Sequence, residues 1–271
     1  MLLPRGVEPV APPPGSAPAP GLLVRTGRYL ARLAHTPDDL DAARRLRWRC
    51  FVARTGAPDD GTGRDADPQD ALCRHVLVED GTTLGLVGCL RFMTLRGGGD
   101  IARSYSARFH DLGRLAALDV PMIEVGRFCV HPAHRDPDIV RTAWAALTRI
   151  VADSGARMLI GCSSFAGADP AAHAEALALL HARHLAPRRW RPRIGVPGAY
   201  PLACARVPGA PDARRAMAGM PPLLRSYLAM GGQVGDHAVI DAELDTLHVF
   251  TGIEVGSIPP ARHRRLCAAA R

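Results

Sequence analysis

Glu124 and Arg127 stand three apart in the run Met122-Ile-Glu-Val-Gly-Arg-Phe-Cys-Val130, which is otherwise apolar. Charge inside an apolar strand is costly unless it does something, and an acid with an arginine suits proton transfer beside an anchored anion. In a plain strand, residues three apart face opposite sides. A bulge at Gly126 would bring both onto one face and turn a backbone N–H toward a developing oxyanion. An ion pair closing a strand end is the alternative. Arg91 likewise interrupts Val87-Gly-Cys-Leu-Arg-Phe-Met93, and Arg47 sits beside Trp48 and four residues before Phe51. Together these supply cationic anchors and one acid. Asp70, at the end of a Gly- and Asp-rich stretch over 55–71, is read either as a further site acid or as a turn cap.

These groups need a frame. Thr36-Pro-Asp-Asp39 is a helix start, with a hydroxyl cap, an early proline and acids at the positive end of the dipole. Leu40, Ala43, Leu46 and Cys50 then share one face to about Arg54. His75–Glu79 and Leu84–Thr94 flank Asp80-Gly81 as a hairpin. The strand over 122–130 runs into the turn Ala133-His-Arg-Asp-Pro-Asp138. A helix follows, apolar at Val140, Ala143, Trp144, Leu147, Ile150 and Val151. Further elements are expected as a strand over 157–162, a helix from Asp169 to about Leu185, a short helix over 221–231 and a strand over 248–255. Strands mixed with helices give an α/β (α+β) fold with a mixed sheet.

Composition narrows the partners. All 34 basic residues are arginine and the formal net charge is +8. This fits either a GC-rich coding bias or attraction to acidic partners. No aromatic platform or arginine cluster marks nucleic-acid binding. The seven cysteines are scattered and never form C-x-x-C, and the histidines lack zinc-helix spacing, so no metal is expected and the thiols read as reduced and cytoplasmic. Residues 1–27 read as a disordered Pro-rich tail, 28–256 as one domain, and 257–271 as an Arg/Ala-rich tail.

Several motifs in order carry a resemblance: Leu46-Arg-Trp-Arg-Cys-Phe51, Asp70-Ala-Leu-Cys-Arg-His-Val-Leu-Val78, Leu90-Arg-Phe92, Glu124-Val-Gly-Arg-Phe-Cys-Val-His-Pro132, Gly161-Cys-Ser-Ser-Phe165 and Pro221-Pro-Leu-Leu-Arg-Ser-Tyr-Leu228. Over about residues 28–256 the chain resembles the L-ornithine N-alpha-acyltransferases of ornithine-lipid synthesis. That family has the GCN5-related N-acetyltransferase (GNAT) fold and is related to the acyl-homoserine-lactone synthases. The resemblance implies transfer of a 3-hydroxyacyl group from acyl carrier protein to the alpha-amine of ornithine, with no bound cofactor and possible contact with an anionic membrane surface. Glu124 and Arg127 would be catalytic, and Arg47, Phe51, Asp70, Arg91 and Phe92 substrate-binding. Asp70 would take the side-chain ammonium of ornithine. Ordinary acetyltransferases of this fold cradle a diphosphate on a glycine-bearing loop. Here the matching run Arg135-Asp-Pro-Asp-Ile-Val140 has no glycine, carries two acids and lacks one N–H at Pro137. Gln69 and Arg74 depart from the family pattern beside Asp70, which keeps another acceptor such as glutamine open, as well as homoserine-lactone synthesis.

Overall fold

A computed structural model describes residues 21–53, 61–242 and 244–270. The chain opens with an antiparallel pair, β1 (Leu22–Thr26) and β2 (Tyr29–Leu33), followed by α1 (Pro37–Phe51). Thr36 caps α1 through a reciprocal box with Asp39, as its sequence dictates. The hairpin follows as β3 (Arg74–Asp80) and β4 (Gly85–Leu95). Its four-residue turn is held by the Asp80 carboxylate, which accepts from the Thr82 amide and hydroxyl. After short β5 (His110–Asp111) and α2 (Gly113–Ala116) come β6 (Met122–Val130), α3 (Pro137–Ser154) and β7 (Met158–Ala166). The C-terminal half holds α4 (Ala174–Arg183), β8 (Arg193–Ile194), β9 (Tyr200–Pro201), α5 (Ala213–Gly219) and α6 (Pro222–Ala229). It closes with β10 (Gln233–Asp241), β11 (Thr246–Glu254) and α7 (Pro260–Ala269).

Nine strands form one sheet in the order β1-β2-β3-β4-β6-β7-β11-β10-β9. Among the described strands β6 and β7 are the parallel pair, and α3 makes the crossover between them. The α/β class with a mixed sheet is therefore as expected. One face buries Ile139, Ala143, Trp144, Leu147 and Ile150 of α3 against Val76, Leu90, Phe92 and Ile123. On the other face Ala43 and Leu46 of α1 meet Leu77, Cys89 and Cys129. A separate cluster joins α4, α5 and α6 to β7, β10 and β11 through Leu177, Leu180, Leu224, Phe165 and Val249.

Two boundaries move. Residues 1–20 lie outside the described residues, but Leu22–Thr26 is a sheet strand with Val24 buried, so the domain begins before residue 28. Nor is 257–269 a loose tail, because α7 lies on α3 and packs Leu266 and Ala269 onto the core. Part of the long loop, 54–60, also lies outside the described residues. No helix among the described residues is long and apolar enough to cross a membrane.

The opening of the sheet sits at its centre. The β6–β7 ladder runs from Met122↔Met158 to Val125↔Gly161 and stops there. Beyond it β6 continues beside β4, while β7 continues beside β11 to Ala166↔Thr246. The two strands splay, and a cleft opens between them. Gly161 permits the last close approach, since a Cβ there would stand 2.4 Å from the Val125 carbonyl oxygen.

Candidate active site

The splay encloses a cleft of about 340 Å3 lined by Phe51, Arg91, Tyr105, Glu124, Arg127, Cys162, Asp241 and His248, among others. Glu124 and Arg127 reach it together through a bulge, but not at Gly126. Opposite β4, the register steps from Arg91↔Gly126 to Cys89↔Cys129, which inserts one extra residue in β6. The left-handed residue is Arg127 itself, with φ 51°. A side chain in that region costs roughly 1–2 kcal/mol, so the surrounding contacts must hold it. They are ionic. Arg127 Nε lies 2.9 Å and Nη2 3.4 Å from Asp65 and Asp67. The Nε–H is poorly aimed at its acid and counts among the buried polar atoms without a hydrogen bond. Arg127 is thus placed but not saturated.

Behind it the other cations are paired. Asp70 Oδ1 accepts from Arg47 at 2.7 Å and Arg91 at 2.8 Å, and its Oδ2 accepts from Arg44 at 3.0 Å. Arg47 also donates to Asp65 at 2.8 Å, and Arg91 to Asp67 at 2.9 Å. The side chain of Asp70 is 0% exposed. It is no partner for a substrate ammonium, and the expectation that it holds the acceptor is corrected. Those guanidinium groups keep its carboxyl well below the usual carboxylate range despite the cost of burial. Arg47, 1% exposed and outside the cleft lining, also lies behind the site and not in contact with a substrate. Phe92 is corrected too, since its ring belongs to the core beneath α3. Arg91, Arg127 and Phe51 do face the cleft.

Glu124 is 5% exposed. Its carboxylate accepts from the amides of Tyr105 and Ser106 at 2.7 and 2.8 Å and from the Ser106 hydroxyl at 2.7 Å. Burial pushes its pKa up, and the three hydrogen bonds oppose that. Tyr105, pinned in this way, stands with its ring 5.7 Å from the Arg91 and Arg127 guanidinium carbons. Nothing local in the sequence of residues 105–109 points to Glu124.

The facing wall comes from β7 and β11. Cys162 is a poor nucleophile, for burial drives its thiol up to about 12 and only a thiolate attacks well. Asp241 and Glu124 are the two acids of the lining among the described residues. Asp241 Oδ1 accepts from the Leu244 amide at 3.1 Å, and no arginine pairs with it among the described residues. His248 is 2% exposed and has no hydrogen-bond partner on either nitrogen.

At the N-terminus of α3, Asp136 accepts from the Asp138 amide at 2.9 Å and from the Tyr29 hydroxyl at 2.9 Å. A carboxylate already occupies the place where a diphosphate would meet helix amides.

Residues 46–145 match the family model of the acetyltransferase (GNAT) domain. The chain is 34% identical over 251 residues to the L-ornithine N(alpha)-acyltransferase of Agrobacterium fabrum, covering 88% of this chain and 85% of that one. Its identity to the enzyme of the same name from Rhizobium meliloti is 32% over 258 residues, covering 90% and 86%. Among solved structures, an N-acyl amino acid synthase from uncultured soil microbes aligns with a TM-score of 0.48 and 12% identity, over 85% of this chain and 94% of that one.

Proposed function

The chain belongs to the family of L-ornithine N(alpha)-acyltransferases, and on that premise we propose that it transfers a 3-hydroxyacyl chain from acyl carrier protein to the alpha-amine of L-ornithine. The observation that carries this reading is the cleft between the splayed strands, with Glu124 buried in its wall and Arg91 and Arg127 facing it. A zwitterionic acceptor needs a cation for its carboxylate. Arg44, Arg47, Arg91 and Arg127 face Asp65, Asp67 and Asp70, and of these arginines Arg91 and Arg127 also line the cleft. Arg127, unsaturated and held in a bulge, is the carboxylate ligand of choice.

With Asp70 withdrawn into the ion network, Asp241 takes the side-chain ammonium of ornithine. The alpha-amine attacks the thioester carbonyl, the C–N bond forms, and the C–S bond breaks to release the carrier thiol. The ammonium proton that must leave goes to Glu124, whose raised pKa makes it a stronger base than an ordinary carboxylate. The edge of β6 beyond Val125, freed from β7, offers backbone amides for the carbonyl oxygen.

A carrier protein as donor is supported by the filled N-terminus of α3. Exposed Arg262, Arg264 and Arg265 on α7 add a basic surface suited to an acidic carrier or an anionic membrane face. The test measures kcat/KM for ornithine with acyl carrier protein and with coenzyme A bearing one 3-hydroxyacyl chain, and identifies the product by mass spectrometry. The carrier should be strongly preferred and the preference should weaken with salt. Equal efficiency of the two donors would overturn the donor assignment, and a better rate with glutamine would overturn the acceptor.

A further inference from the structure

The cleft wall built by β7 and β11, with β5 behind it, carries groups that acyl transfer leaves unused. His110, Cys162 and His248 each offer one donor atom, and the three atoms lie within 4.8 Å of one another. His110 Nε2 is 4.0 Å from Cys162 Sγ. The rings of His110 and His248 meet edge to face, 5.8 Å between centroids.

Two independent observations give this cluster a direction. The Asp236 carboxylate accepts from His237 Nδ1 at 2.9 Å. A neutral His237 must then accept at Nε2, where His110 Nδ1 stands at 2.9 Å. His110 therefore keeps its proton on Nδ1 and turns an Nε2 lone pair toward Cys162 and His248. An outer carboxylate and imidazole orienting an inner imidazole is the arrangement that fixes metal-ligating histidines. The second observation is His248, 2% exposed with both ring nitrogens unpartnered. An unsatisfied buried polar group costs about 1–3 kcal/mol, and an ion is one of the few things that relieve it.

We propose that His110 Nε2, Cys162 Sγ and one ring nitrogen of His248 bind a divalent metal ion of the zinc type, with the fourth position open to the cleft. A set of two nitrogens and one sulfur matches a borderline cation, not magnesium or calcium. Zinc–nitrogen and zinc–sulfur bonds of about 2.0–2.3 Å put tetrahedral ligand atoms about 3.3–3.6 Å apart, so the cluster must tighten by roughly 1 Å. Cys162 and His248 both line the cleft, which gives the ion its entry path. Binding replaces the thiol proton, which leaves to solvent, and yields a zinc thiolate. Glu124, joined to Cys162 by Ser106 Oγ at 2.7 and 3.6 Å, then balances the remaining charge. The site does not depend on the acyl-transfer reading, because metal content is measured without any substrate.

The protein, made without a histidine tag and purified without chelator, should carry about one zinc per chain by elemental analysis. Replacing zinc with cobalt(II) should give a near-ultraviolet thiolate-to-cobalt charge-transfer band. Cys162→Ser should abolish that band. His248→Gln, which breaks no hydrogen bond, should leave the thermal midpoint of the metal-free protein unchanged and weaken cobalt binding at least about tenfold. Cys267 and His263, 3.7 Å apart on α7, form a competing pair, so Cys267→Ser is the control and should keep the band. The proposal is overturned if the wild type holds no metal and gives no band. It is equally overturned if the band survives Cys162→Ser and disappears with Cys267→Ser.

Discussion

The two walls of the cleft are built on opposite principles. On the β4 and α1 side, three aspartates and four arginines use up nearly all of one another's hydrogen-bonding capacity, and Asp70 and Arg47 are shut away from solvent. On the side of β7, β10 and β11, His248 has no hydrogen-bond partner and Asp241 has no cation among the described residues. The first wall is a scaffold, since a charge whose lone pairs are filled by its neighbours has nothing left for a ligand. The second is the one that can recognise. Arg127 belongs to the scaffold by its ion pairs and to the recognising side because it lines the cleft. Glu124 lies where the walls meet.

The largest expected effect is at that junction. Glu124→Gln should lower kcat by about 100- to 10,000-fold while carrier binding stays near normal, as for loss of a positioned base. A glutamine offers one oxygen where the carboxylate serves both the Tyr105 and Ser106 amides, so the variant also loosens that loop. Ser106→Ala separates the two roles. It removes the hydroxyl contact and leaves the base, so most of kcat should survive. If Ser106→Ala costs as much as Glu124→Gln, then Glu124 is an anchor and not a base. Because burial raises the Glu124 pKa, kcat/KM of the wild type should fall on the acid side at a pH above the ordinary glutamate range. The carboxylate is the active form, so activity is retained above that value and lost as pH drops through it.

Next in size is a blow to the scaffold. Asp70→Asn removes the buried carboxylate that Arg44, Arg47 and Arg91 share, leaving Arg47 to Asp65 and Arg91 to Asp67 alone, and breaking such a buried pair by removing one partner costs about 3–5 kcal/mol. For a chain of this size that lowers Tm by roughly 10 °C. The relative KM for ornithine and glutamine should not move. A selective rise for ornithine would put Asp70 back on the recognising side and erase the contrast between the walls.

The smallest effect sharpens the contrast from the other side. Asp241→Asn removes one charged hydrogen bond worth about 1.5–3 kcal/mol, so KM for ornithine should rise about 10- to 100-fold. For a neutral acceptor such as glutamine it should hardly change, and Tm should stay near the wild type because no arginine loses its partner. Equal responses from both acceptors would show that Asp241 only shapes the β10–β11 turn through Leu244.

What the chain determined locally, the sequence declared. Thr36 with Asp39, and Asp136-Pro137 with Gly155 at φ 66°, set the ends of α1 and α3 through backbone groups only a few residues away. Apolar periodicity in α3 and the motif Glu124-Val-Gly-Arg127 were legible for the same reason, since one strand or helix face is a local property. The strand β10 was not, because Asp236 and His237 interrupt its apolar run, and their role appears only once His110 is beside them. Only the tertiary structure decided which side of a charge is satisfied. Asp70 reads as a site acid or a turn cap until three arginines from α1 and β4 close on it. The bulge fell on Arg127 and not on Gly126 because ion pairs to Asp65 and Asp67 offset the left-handed backbone, and those partners are about 60 residues away in the chain. His110, Cys162 and His248 come from three separate strands, so no spacing announces them. Burial and partnership are properties of the assembled sheet, and a residue's type cannot show whether its lone pairs are already taken.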